Sequence, residues 1–230
     1  MDEKNALTFP TVSQDILKFN HPTSAILVGP SNVGKTQWLL SLIQQRDEMF
    51  TPTVTRVIYC YMAFQEIFDR SLKNGDGVEF VQGMDFTIRP GDRTLLILDD
   101  LQLQSYGKQI AELFTVRCHH DSISCLYVSH TVFQNDPSYR VASLNAKYFI
   151  LFKSIRSVGQ VNHLARQLFA NKTQSRNVIR AFEHSTRQRY TYLLVDLTQN
   201  TPNHLRLRTQ ILPSEGEKIH GFSVTKVYPL

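Results

Sequence analysis

Ala25-Ile26-Leu27-Val28-Gly29-Pro30-Ser31-Asn32-Val33-Gly34-Lys35-Thr36 decides how the rest of the chain is read. Ala25 to Val28 is a short apolar, β-prone run, Gly29 to Thr36 satisfies GxxxxGK[ST], and the residues from Lys35 to about Gln45 have helical spacing. A phosphate needs several backbone N–H donors converging on it. Gly29 and Gly34 permit the required curvature, Pro30, Ser31, Asn32 and Val33 supply the loop between them, and the following helix adds its positive end. Lys35 places a point charge on the β and γ phosphates, and the Thr36 hydroxyl joins a Mg²⁺ shell. The stretch therefore predicts a site for ATP and Mg²⁺. The competing reading, an accidental glycine-rich turn, does not account for the strand before it and the helix after it.

Well downstream, Thr94-Leu95-Leu96-Ile97-Leu98-Asp99-Asp100 is an apolar strand ending in two carboxylates. Asp99 reads as holding Mg²⁺ through its water shell, and Asp100 as the group that orients and polarises an attacking water. Alone, two aspartates after an apolar run read as a helix cap; the upstream loop changes their meaning. The spacing between the two motifs leaves room for further strands, Arg56 to Tyr61 and Val78 to Gln82, as in ATPases with an inserted central strand. The strand Cys125-Leu126-Tyr127-Val128 ends in Ser129-His130-Thr131, and His130 is placed to sense the γ-phosphate by hydrogen bonding near neutral pH. A surface histidine in a turn is the alternative.

Outward from these motifs, short apolar runs alternate with longer periodic ones, the pattern of an α/β fold with a mostly parallel sheet covered by helices. Strands are also predicted at Ser124 to Val128 and Lys147 to Phe152. Further helices are predicted at Phe64 to Leu72, Gly107 to about Val116, Gly159 to Leu168 and Gln174 to Glu183. Asn74 to Gly77 and Arg89 to Asp92 read as turns. After Lys172 the texture changes: Tyr190 to Leu197, a turn at Asn200 to Asn203 and the alternating His204 to Arg208 predict an antiparallel addition to the sheet edge. The domain division is a lead-in over 1–20, an ATPase core over 21–172, a sheet-edge extension over 173–213 and a tail over 214–230.

The 230 residues are 42% hydrophobic and 20% charged, enough to bury a full core without staples, which argues against disorder. Cys60, Cys118 and Cys125 are odd in number and contain no CxxC pair, which fits a reducing compartment and argues against a disulfide framework or a zinc site. His119 and His120 lie beside Cys118, but adjacent residues seldom converge on one ion. No apolar run approaches a membrane span, and MDEKNALTFP has neither a basic nor an apolar signal region, so an intracellular protein is expected. A net charge of +5 is compatible with a polyanionic partner without establishing one.

The motifs together resemble the FtsK/HerA-superfamily genome-packaging ATPases of double-stranded DNA viruses, most closely those of Polinton/Maverick and adintovirus-type elements and distantly the poxvirus packaging ATPase. The resemblance rests on AILVGPSNVGKT, RVIYCYMAFQEIF, LLILDDL, ELFTVRCHHDSIS, CLYVSHTVFQ, SLNAKYFILFK, LARQLF and YLLVDLTQNTPNHLRLRTQILP. It spans about residues 8–213. It implies a P-loop fold of the ASCE, RecA-like type and ATP-driven translocation of duplex DNA by a homo-oligomeric ring, a pentamer or hexamer. The implied partners are double-stranded DNA and a capsid vertex or portal protein, and the implied setting is a host nucleus or a cytoplasmic virus factory. His130 stands where relatives commonly carry glutamine. Such rings complete the site with an arginine from a neighbouring subunit. His119 occupies the position at which the family pattern suggests that arginine, which leaves Arg117 and Arg140, with Arg140 favoured. Cations available for DNA are Lys153, Arg156, Arg166, Arg187, Arg189, Arg206 and Arg208, the last two alternating with Leu205 and Leu207. Two other functions share the nucleotide loop. A helicase would need stacking aromatics, for which Phe133 and Tyr139 are the loop candidates. A non-hydrolysing assembly switch would not need Asp100.

Overall fold

The computed structural model describes residues 11–13, 18–64, 66, 68, 77–101, 103–154, 158–169, 171–216 and 218–222. Six strands lie parallel in its main sheet: β3 (Ser24–Val28), β5 (Arg56–Tyr61), β6 (Val78–Gln82), β7 (Thr94–Asp99), β8 (Ile123–Ser129) and β9 (Tyr148–Phe152). Four antiparallel strands extend it beyond β9: β10 (Tyr192–Asp196), β11 (Leu207–Thr209), β12 (Lys218–Phe222) and β1 (Thr11–Ser13). The order is β1-β12-β11-β10-β9-β3-β8-β7-β5-β6, and β2 (Phe19–Asn20) pairs with β4 (Phe50–Thr51) in a separate two-stranded ribbon. The α/β class and the antiparallel extension follow the sequence reading.

Strands buried on both faces read as unbroken apolar runs, and their alternate residues feed two cores. Ala25, Leu27, Val57, Leu95, Ile97, Leu126 and Ile150 face α1 (Lys35–Gln44), with Trp38, Leu39, Leu42 and Ile43 packed on them. Ile26, Ile58, Leu96, Leu98, Cys125 and Phe149 face the other way. That side is covered by α2 (Leu103–Glu112), α3 (Pro137–Asn145), α4 (Val158–Leu168) and α5 (Lys172–Ser185).

Several local features differ from the sequence reading. The helix expected from Gly107 begins at Leu103 and passes into a π-turn over Leu113–Arg117, followed by a last turn Cys118–His120. The α3 helix was not anticipated, although its start is written in Asp136-Pro137: the Asp136 carboxylate caps the Tyr139 N–H at 2.9 Å and proline occupies the first turn. Residues 214–230, read as a tail, contribute β12, which brings β1 onto the sheet. Most of the helix expected at Phe64 to Leu72 and of the turn at Asn74 to Gly77 lies outside the described residues. No helix among the described residues is long and apolar enough to cross a membrane.

Candidate functional site

Three strand ends meet at one edge of the sheet. The Gly29–Thr36 loop joins β3 to α1, β7 runs out through Asp99 into Asp100, and β8 runs out into His130. Because β8 sits between β3 and β7, its tip faces both. One open cleft of about 550 Å³ results, lined by Ser31, Asn32, Gly34, Lys35, Thr36, Asp99, Asp100, His130 and Tyr190. The structure thus gathers residues distant in sequence, while Pro30 and Val33 line a neighbouring cleft with Tyr190.

The loop depends on both its glycines. A Cβ on Gly29 would come within 2.8 Å of Phe152 Cβ and 2.9 Å of Val33 Cγ2, and Gly29 N–H donates to the Ser129 carbonyl at 3.1 Å, tying the loop to β8. Gly34 has φ +99 at the start of α1, a left-handed conformation that side chains resist. Lys35 is buried, and its Nζ donates to the Gly29 and Pro30 carbonyls at 2.6 and 2.7 Å. Burial lowers the Lys35 pKa, while the charges of Asp99 and Asp100 act to raise it.

Asp99 falls in phase with Leu95 and Ile97, so its side chain lies on the α1 face of β7, the face of Lys35. It is buried, and Tyr59 on β5 donates its hydroxyl to Asp99 Oδ2 at 2.6 Å. Burial pushes the Asp99 carboxyl upward, the Tyr59 hydrogen bond pulls it down, and Asp100 adds to the rise against Lys35 and His130. The same burial and the Asp99 charge hold the Tyr59 hydroxyl well above its ordinary range. Sequence reasoning missed Tyr59; its signal was the shared in–out phase of Tyr59 and Ile97, which are paired across β5 and β7.

Asp100 is exposed and left-handed at φ 56, a backbone conformation that costs a non-glycine residue on the order of 1–3 kcal/mol. His130 Nε2 lies 3.2 Å from Asp100 Oδ1, so the two polar tips form one unit at the mouth of the cleft. The segment after His130 is braced: Tyr139 donates its hydroxyl to the Thr131 and Val132 carbonyls at 3.1 and 2.9 Å, and Val132 N–H donates to Gln160 on α4 at 3.1 Å.

The donor set suits a hard cation. The Thr36 hydroxyl and the Asp99 carboxylate share the cleft, and Mg²⁺ takes one or two such oxygens beside phosphate oxygens and water. His119 and His120 stack edge to face, and among the described residues no group of three or more His, Cys, Asp or Glu side chains is arranged to hold a metal.

The arginines separate. Arg117 Nε donates to Asp121 Oδ2 at 2.9 Å, and its guanidinium lies 5.9 Å from the Phe86 ring centroid. Arg140 is exposed on α3 and pairs with no acid among the described residues. Neither lines the cleft of its own chain.

The cations first considered for DNA also divide. Arg208 is a correction: it is buried and donates to the buried Asp196 at 2.8 Å, while Arg206 donates to the Asp196 and Thr198 carbonyls at 3.1 and 2.9 Å. These two arginines clamp the β10–β11 connection and do not form an open basic face; Asp196, far enough away in sequence to be overlooked, explains why. Arg156 lies outside the described residues. Arg166 opens onto a cleft of about 650 Å³ between α4 and α5, with Lys172 and Arg176. All three are exposed and form no ion pair among the described residues. Phe133 and Tyr139 do not form an open stacking platform: Tyr139 is buried and Phe133 packs edge-on against His163.

No protein-family model matches the chain, and no curated protein is significantly similar to it.

Proposed function

We propose that this chain is a P-loop ATPase of the ASCE type. The observation that carries the reading is the single cleft in which Lys35 and Thr36 of the β3–α1 loop, Asp99 and Asp100 of β7 and His130 of β8 come together, with β8 set between the other two strands. In this reading the backbone N–H groups of the loop and the start of α1 hold phosphate oxygens. Lys35, which donates to the Gly29 and Pro30 carbonyls, would turn to the β and γ phosphates, and Thr36 and Asp99 would hold Mg²⁺, whose charge would offset that of the phosphates. Asp100, exposed and joined to His130, orients the attacking water and accepts its proton.

More particularly, we propose a translocase that works as a homo-oligomeric ring on double-stranded DNA and packages a viral or virus-like genome into a capsid, as the family resemblance implies. Two features of the molecule support this part. Arg140 is exposed, pairs with no acid among the described residues and is absent from its own cleft, as a cation acting on a neighbouring subunit must be. The Arg166, Lys172 and Arg176 cleft offers a phosphate backbone three exposed cations that form no ion pair among the described residues.

The test is steady-state ATP hydrolysis by purified protein at fixed salt, with Lys35→Ala as the blank, alone and with long duplex DNA, single-stranded DNA or RNA at matched phosphate. Stimulation by duplex that grows with its length is the expected result. Preference for single strands would point to a helicase instead. ATP binding without turnover under any condition would overturn the motor and leave a nucleotide switch. Mixed assemblies of Asp100→Asn and Arg140→Ala subunits should recover part of the activity that each lacks alone, because some interfaces regain both groups.

A further inference from the structure

Tyr190 stands on the connection between α5 and β10, with its side chain largely exposed and its backbone in the left-handed region at φ 63. A bulky residue seldom occupies that conformation unless the surroundings require it. Its ring packs on the phosphate loop: a Cβ on Gly34 would meet Tyr190 Cδ1 at 3.1 Å and Tyr190 Cβ at 3.3 Å. Tyr190 also borders three clefts: the main cleft, one lined by Pro30, Asn32 and Val33 of the loop, and one lined by Gly34 and α1.

One of these neighbours continues the main cleft. A space of about 370 Å³ shares Gly34, Gln37 and Tyr190 with it and runs on to Ser41 on the second turn of α1 and to Leu212 and Ser214 on the segment after β11. Asp100 and His130 do not reach this space, so it lies off the end of the main cleft away from the hydrolytic pair. Its far wall is fixed in place. The Gln45 side chain spans α1 and that segment, donating Nε2–H to Ser214 Oγ at 2.9 Å and accepting the Ser214 N–H at 2.7 Å. Glu215 is held by the Tyr192 hydroxyl at 2.6 Å and the Leu212 N–H at 3.0 Å.

We propose that this side cleft is the nucleoside subsite, with the Tyr190 ring as the platform on which the base of the bound nucleotide stacks. The inference rests on the nucleotide reading above. A flat ring beside a cleft walled by the apolar Trp38 and Leu212 and the polar Gln37, Ser41, Ser214 and Glu215 suits a planar, partly polar heterocycle, and a ring seated on Gly34 places that heterocycle next to the phosphate loop. Stacking also explains why the strained conformation is kept: it turns the ring onto the loop.

The experiment compares binding of ATP and of inorganic tripolyphosphate, which has no nucleoside, by calorimetry with Mg²⁺ present, to the wild-type chain, Tyr190→Ala, Tyr190→Phe and Ser41→Tyr. Removing one aromatic–base stack weakens binding on the order of 5- to 100-fold. Tyr190→Ala should therefore lose about tenfold or more for ATP and nothing for tripolyphosphate. Tyr190→Phe should match wild type, and Ser41→Tyr, which fills the cleft from the opposite wall, should lose ATP selectively. Equal losses for both ligands in Tyr190→Ala would overturn the stacking role and make Tyr190 a brace for the loop. Unchanged ATP affinity in both Tyr190→Ala and Ser41→Tyr would overturn the subsite while leaving the nucleotide site intact. Wild-type protein that binds neither ligand would instead overturn the nucleotide reading and, with it, this inference.

Discussion

At the residue scale, the two adjacent aspartates have opposite environments, which divides their work. Asp100 is open to water and touches His130, so Asp100→Asn should keep ATP affinity and lower turnover by about 10²- to 10⁴-fold, read by calorimetry and single-turnover hydrolysis. Asp99 is buried, and Tyr59 supplies the hydrogen bond that opposes its rise in pKa. Tyr59→Phe should therefore shift the acid limb of the Mg²⁺-dependent pH–rate profile to higher pH, with activity retained at pH values where Asp99 is ionised in both proteins. The linkage to stability has the same origin. Because burial raises the folded-state Asp99 pKa above its ordinary 3.8, the native protein holds that proton more tightly than the unfolded chain does. Its stabilising contribution is complete below about 3.8 and is lost as pH rises through the raised value. Asp99→Asn should accordingly be at least as stable as wild type at neutral pH, measured by urea unfolding, while losing Mg²⁺-dependent turnover.

At the scale of elements, α3 is the piece that joins the cleft to the outer surface. Tyr139 bonds the segment after His130, and the next residue, Arg140, faces solvent beside the exposed Val141 and Leu144. One helix therefore joins the segment after His130 to an apolar outer edge. Arg140→Ala should abolish most DNA-stimulated turnover without changing the thermal midpoint. Arg117→Ala, which breaks a partly exposed i,i+4 pair, should cost only a few tenths of a kcal/mol and leave turnover intact. This division was only half legible beforehand. Gly29, Lys35, Thr36, Asp99 and Asp100 were readable because glycine and charge at strand ends are local signals that need no tertiary partner. Between Arg117 and Arg140 the sequence favoured Arg140; that Asp121 and Phe86 hold Arg117 shows only once the chain is folded. Tyr59 was hidden for a related reason: an aromatic in a buried strand reads as core until the register with β7 places its hydroxyl on Asp99. Conversely, α3 went unread although its capping chemistry, Asp136-Pro137, is a local signal.

At the scale of the whole molecule, the charge of +5 matters less than how it is spent. Arg208 is committed to Asp196 inside the antiparallel extension, with both side chains almost wholly buried, so removing one partner strands a charge. Arg208→Ala should destabilise the fold by about 3–5 kcal/mol and leave DNA affinity per folded molecule unchanged. Arg166, Lys172 and Arg176 lie at an open cleft with no acid beside them among the described residues, where they cost the fold little and are free to neutralise phosphates. Each phosphate neutralised contributes about 0.9 to the slope of log affinity against log salt. The triple variant Arg166→Ala, Lys172→Ala, Arg176→Ala should therefore bind long duplex more weakly, with a slope smaller by about 2–3. ATP affinity without DNA should stay at the wild-type value, because the three side chains do not line the cleft proposed to hold the nucleotide. A wild-type slope in the triple variant would move the proposed DNA contact away from the α4–α5 hairpin and toward Lys153 and Arg189, exposed cations that line a cleft with Tyr190, and Arg187, whose carbonyl accepts from Lys153. In that case DNA and nucleotide would approach each other along one edge of the sheet, and substitutions there would change both affinities together.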